Sequence, residues 1–159
     1  MGCPAVDNLS AFEDWAGALL ARLSPAGRRA AMHDIARELR RRQQVRITAQ
    51  KNPDGTRYEP RKVRHSDKKL RGKRGRVKRT AMFMKLRTAR WMKIEASDRR
   101  LAIGFSGRVA RLARVHQFGE KVPVVPGGSE YSYPLRVLLS LTDLERELIR
   151  EKLLGHLRE

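Results

Sequence analysis

The sequence holds one cysteine, Cys3, few aromatic residues and few acids. A single thiol excludes an internal disulfide and any zinc site built from several thiolates. No run approaches the ~20 apolar residues of a membrane helix. The start, MGCPAVDNLS, has neither a basic n-region nor an apolar h-region, so no secretory signal is expected. Met-Gly-Cys suggests lipidation, but Pro4 and Asp7 fit that signal poorly, and Cys3 reads as an ordinary thiol.

The signatures of catalysis are equally scarce. His33, His65, His116 and His156 are scattered, and none forms an H-x-x-x-H or H-E-x-x-H pair. There is no G-x-S-x-G elbow and no Walker loop; Gly72-Lys73-Arg74-Gly75 has no strand before it and no Lys-Ser/Thr after it. Asp143, Glu145, Glu147 and Glu151 sit beside Arg150 and Lys152, as ordinary charges on a helix flank do. His116, next to an apolar face, reads as a packed or hydrogen-bonded histidine. Neither an enzyme nor a bound cofactor or metal is expected.

What is abundant is positive charge. The 159 residues hold 36 Lys plus Arg against 17 acids, a net charge of +19. Such a surface repels itself and seeks nucleic acid, anionic lipid or an acidic protein face. The charge is uneven. From Arg57 to Arg79 run Arg57, Arg61, Lys62, Arg64, Lys68, Lys69, Arg71, Lys73, Arg74, Arg76, Lys78 and Arg79 against only Glu59 and Asp67, an excess of +10. Apolar residues there are limited to Tyr58, Val63, Leu70 and Val77, and Gly72 and Gly75 interrupt any helix. The composition predicts a long basic loop or arm over 57–80 that buries too little surface to fold alone.

The remainder is patterned. Ser10 and Glu13 form a capping-box pair, followed by Phe12, Trp15, Ala16, Leu19, Leu20 and Leu23 at helical spacing. Ser24-Pro25 opens a second, basic helix to about Gln44, which residues 45–49 could extend. Asn52-Pro53-Asp54-Gly55 signals a turn. Thr80 predicts the cap of a short helix over 81–90. Strands follow at 91–96 and 101–105, then a helix over 109–118 closed by Gly119. Residues 120–134 read as a loop and 135–141 as an apolar strand. Thr142 and Glu145 form a second capping box before an amphipathic terminal helix. The expected fold is a single α+β domain: an N-terminal helical pair over 9–50, the basic arm, and an α+β core over 81–159. That core has a small antiparallel sheet flanked by helices and a C-terminal amphipathic helix.

Several pieces occur together in a characteristic order. They are Leu19-Leu20-Ala21-Arg22-Leu23-Ser24-Pro25, Gln50-Lys51-Asn52-Pro53-Asp54-Gly55-Thr56 and Tyr58-Glu59-Pro60-Arg61-Lys62. Then come Met84-Lys85-Leu86-Arg87-Thr88-Ala89-Arg90, Val115-His116-Gln117-Phe118-Gly119, and Tyr133-Pro134 before Leu138-Leu139. From about residue 9 to 157 the chain resembles the phage virion morphogenesis family, tail completion proteins of temperate contractile-tailed phages. The resemblance implies a structural virion protein, assembled in the bacterial cytoplasm, that completes the tail at its head-proximal end. It implies a ring, six-fold by similarity to tail terminators, and contacts with tube, terminator and head-connector proteins. It implies no membrane, cofactor or catalytic residue.

A closed ring needs a heterologous interface. The open sheet edge of 91–96 and 101–105, with Trp91, Ile94, Ile103 and Phe105, is one candidate, and Leu138 and Leu139 are another. Both could instead pack inside one chain. The basic arm could grip an acidic face of a neighbouring protein, touch phosphates of passing DNA, or stay solvated. The competing class is a sequence-independent nucleic-acid-binding protein. Against it, the charge lies in a glycine-broken loop with almost no aromatics to stack bases. A ribosomal-type protein also fits the charge, but not the acidic, leucine-rich terminal helix.

Overall fold

The computed structural model describes residues 4–60, 81–123 and 126–158. The chain runs α1 (Pro4–Leu20), α2 (Pro25–Thr48), β1 (Met92–Ala96), β2 (Leu101–Phe105), α3 (Val109–Phe118), β3 (Lys121–Pro123), β4 (Glu130–Ser132) and α4 (Asp143–His156). Among the described residues the sheets are two-stranded, β1 with β2 and β3 with β4. The class is α+β, as the patterning predicts. The elements build two compact units.

The first unit gathers Met1–Arg40, Ile94–Ile103 and Leu141–Glu159. Its core is Ala31, Ile35 and Leu39 of α2 with Leu148 and Leu153 of α4, flanked by Trp15, Leu19 and Leu20 of α1. Each Ile or Leu side chain buried this way contributes about 1.5–3 kcal/mol. Phe12 and Trp15 stack at 5.8 Å, and the Arg150 guanidinium lies 5.3 Å from the Trp15 ring centre. Lys152 bonds Asp34 at 2.8 Å, and that bond lowers the Asp34 pKa. The break between α1 and α2 follows from Ser24, whose hydroxyl accepts from the Gly27 amide at 3.1 Å. At α4 both halves of the Thr142/Glu145 capping box form, with Glu145 buried. The expected start of α1 is corrected: the helix begins at Pro4, where proline suits a first turn, so Ser10 and Glu13 lie inside it.

The second unit comprises Arg41–Lys93 and Gly104–Ser140. Ile47, Met92 and Leu138 are its most deeply buried aliphatics. The 52–55 turn forms, with the Asp54 carboxylate accepting from the Thr56 amide at 2.9 Å. Gly119 ends α3 at φ 63°, where a Cβ would lie 3.4 Å from the Tyr133 carbonyl oxygen.

Three local expectations need correction. Residues 81–90 are successive turns, not a helix. The Gln50 side chain takes the Met82 amide at 2.6 Å and donates to the Met82 carbonyl at 2.8 Å, and Phe83 sits at φ 63°. A backbone diverted this way cannot start a regular helix. The 120–134 stretch contains the β3–β4 hairpin, with Val122 opposite Tyr131. Residues 135–141 form no strand, bend at Leu139, and pair with no strand among the described residues. Side-chain amides take the place of a partner strand. Gln117 accepts from the Leu138 and Leu139 amides at 2.8 and 3.0 Å and donates to the Leu139 carbonyl at 2.8 Å. Asn52 accepts from the Val137 amide at 3.0 Å, and Gln43 donates to the Ser140 carbonyl at 2.8 Å.

Candidate functional site

The described chain is clamped just before the basic segment. After the turn, the Tyr58 amide donates to the Gln50 carbonyl at 2.8 Å, and the Tyr58 hydroxyl donates to the Val137 carbonyl at 3.1 Å. Burial pushes the Tyr58 pKa up to about 12, so it stays a donor. Next, Arg136 reaches in from the 135–141 segment. It is only 4% exposed. Its Nε donates to the Glu59 carbonyl at 2.8 Å and its Nη2 to the Pro60 carbonyl at 3.4 Å. Its Nη1 lies 3.0 Å from His116 Nδ1.

That last contact fixes the imidazole. A guanidinium only donates, so Nδ1 accepts and the ring proton resides on Nε2. Burial, reinforced by the Arg136 charge, lowers the His116 pKa to about 4, although the Pro134 carbonyl accepts from the ring and opposes the shift. The ring meets Phe83 edge-on at 4.9 Å and Tyr133 at 5.2 Å. This is the packed, hydrogen-bonded histidine expected from its setting.

The far side of the basic segment is fixed too. Gln50 holds Met82 by both backbone groups, and Phe83 packs between Tyr58 and His116. Gln50 and Phe83 both adopt positive φ, 56° and 63°, a costly conformation without glycine that surrounding contacts must hold. Pro60 and Met82 are therefore both anchored to one buried cluster.

Of the twelve basic residues singled out between 57 and 79, Arg57 is described and exposed. Arg61, Lys62, Arg64, Lys68, Lys69, Arg71, Lys73, Arg74, Arg76, Lys78 and Arg79 lie outside the described residues. Among the apolar candidates, Phe105 and Leu139 come together, lining an open groove of about 310 Å³ with Ala110, Ala113 and Phe118. Trp91 is half-buried, with the Arg90 and Arg108 guanidinium carbons 4.8 and 5.6 Å from its ring centre. Ile94 is half-buried in β1, and Ile103 packs on the core of the first unit. Leu138 is fully buried, so it offers nothing to a neighbour. Sequence patterning missed Arg136, Gln50 and Gln117. The signal for Arg136 was there: an arginine inside the apolar run 135–141. Among the described residues no cluster of His, Cys, Asp or Glu could hold a metal, and no helix is long and apolar enough to cross a membrane.

A small α+β protein results, with a strongly basic segment rooted at both ends in a buried arginine–histidine–amide cluster. The chain belongs to the phage virion morphogenesis family, whose model matches residues 7–158. It is 40% identical over 153 residues, 96% of this chain and 99% of the relative, to tail completion protein S of Escherichia phage P2. No solved structure matches it.

Proposed function

We propose that this chain is a structural virion protein that completes a phage tail at its head-proximal end, assembling as a ring that joins or terminates the tail for head attachment. The observation that carries the reading is the near full-length identity to a tail completion protein. Six-fold symmetry would match the tail it caps, with tube, terminator and connector proteins as neighbours. In this reading no residue acts catalytically. The basic residues from Arg57 to Arg79 supply contacts to an acidic neighbouring ring. The anchored flanks support that role, because charges tethered to a rigid base dock at lower entropic cost than charges on a free tail.

A phage with this gene interrupted should accumulate filled heads and separate tails, and added protein should restore joined particles. Normal particle yield without the gene would refute the proposal. A chain lacking 61–79 should fold, with an unchanged near-ultraviolet spectrum, yet fail to restore joining.

The second reading, sequence-independent nucleic-acid binding, is favoured by one observation: Arg90 and Arg108 against Trp91 form a cationic aromatic surface. It predicts affinity for random DNA that falls steeply between about 50 and 200 mM salt. Tight, salt-sensitive DNA binding by a chain dispensable for head–tail joining would select it.

A further inference from the structure

In a chain of net charge +19, an exposed acidic face is unusual, and α4 carries one. Leu144, Glu147, Glu151 and Leu154 recur at spacings of three and four, so they share a helix face, and all are exposed. Leu144 is 76% and Leu154 41% exposed. Glu147 has a long contact to Arg150, 3.7 Å, while Glu151 has no cationic partner among the described residues. Two leucines flanking two glutamates thus form one exposed stripe.

The complementary surface lies on α3. Arg111, Arg114 and Phe118 also share one exposed face, and Phe118 is 66% exposed. Arg114 is paired to Glu120 at 2.8 Å, while Arg111 has no carboxylate partner among the described residues. Beside this stripe opens the apolar groove of Phe105, Ala113 and Leu139.

We propose that the α4 face of one copy docks on the α3 face of the next, Glu147 and Glu151 meeting Arg111 and Arg114 and a flanking leucine entering the groove beside Phe118. The inference rests on the ring reading above and names its interface. Self-pairing is disfavoured on both sides, because α4 on α4 opposes glutamates and α3 on α3 opposes arginines. Two different faces that fit only each other make a heterologous contact, the kind that closes into rings. The 61–79 segment is a poorer occupant for the α4 face: Val63, Leu70 and Val77 are its only apolar residues, and two exposed leucines need more apolar cover.

Sedimentation of the nuclease-treated full chain tests this. Wild type should associate at about 100 mM salt and weaken at about 500 mM. Glu147→Arg with Glu151→Arg, and separately Arg111→Glu with Arg114→Glu, should each weaken association about tenfold or more while keeping the wild-type circular dichroism. Mixing the two charge-reversed chains should restore it, since each then fits only the other. Association unchanged in either variant, or no rescue on mixing two folded variants, overturns this interface while leaving the ring reading intact. A wild type that stays monomeric both alone and with added tail-end proteins overturns the ring reading itself.

Discussion

At Arg136 one guanidinium serves two backbone carbonyls and an imidazole, and among the described residues no carboxylate pairs with it. Arg136→Met should therefore strand buried acceptors, lowering stability by about 3 kcal/mol, measured as a shift in the urea midpoint. Arg136→Lys should recover only part of it, because an ammonium cannot present the same fork. His116 predicts a pH dependence. Its folded pKa of about 4 lies below the ordinary 6.5 of the unfolded chain. Stability is therefore complete above about pH 6.5 and falls as pH drops toward 4, because only the unfolded state gains a proton across that window. The loss should be on the order of 2 kcal/mol, allowing for partial solvent screening. His116→Gln, which still offers an acceptor to Arg136, should flatten the urea midpoint between pH 6.5 and 4; a slope equal to wild type would assign the effect to carboxylates.

Among the elements, those with local punctuation were legible in sequence. Ser24-Pro25 opens α2, Gly119 closes α3, and Thr142 with Glu145 opens α4 where expected. Gly119→Ala should cost about 1–2 kcal/mol in thermal or urea unfolding, since its φ is positive and the Tyr133 carbonyl is close. Two of the elements that misled, 81–90 and 135–141, share another property: their backbone partners are side chains distant in sequence. Gln50 bends 81–90 through Met82, and Gln43, Asn52 and Gln117 hold 135–141. Hydrophobic spacing reports which face is buried, not which amide will take a main-chain bond. For the same reason composition revealed the basic segment but not its anchors. Gln117→Leu should test the point, losing several main-chain bonds at once and about 2–4 kcal/mol by urea unfolding.

At the scale of the molecule, each unit is assembled from separated stretches of chain, which no local pattern announces. Charge, by contrast, is fully legible. A +19 chain resists its own compaction, so its melting temperature should rise by a few degrees between about 20 and 300 mM salt as repulsion is screened. A falling melting temperature would mean that ion pairs such as Asp34–Lys152 dominate instead. The 135–141 segment matters here as well. Val137, Leu138 and Leu139 are the kind of run that seeds cross-β stacking when its ladder groups are bare. With the Val137, Leu138 and Leu139 amides already taken by glutamine and asparagine, an incoming strand finds no main-chain donor there to zip onto. The side chains that shape this segment thereby also keep a sticky sequence from becoming the seed of a fibril.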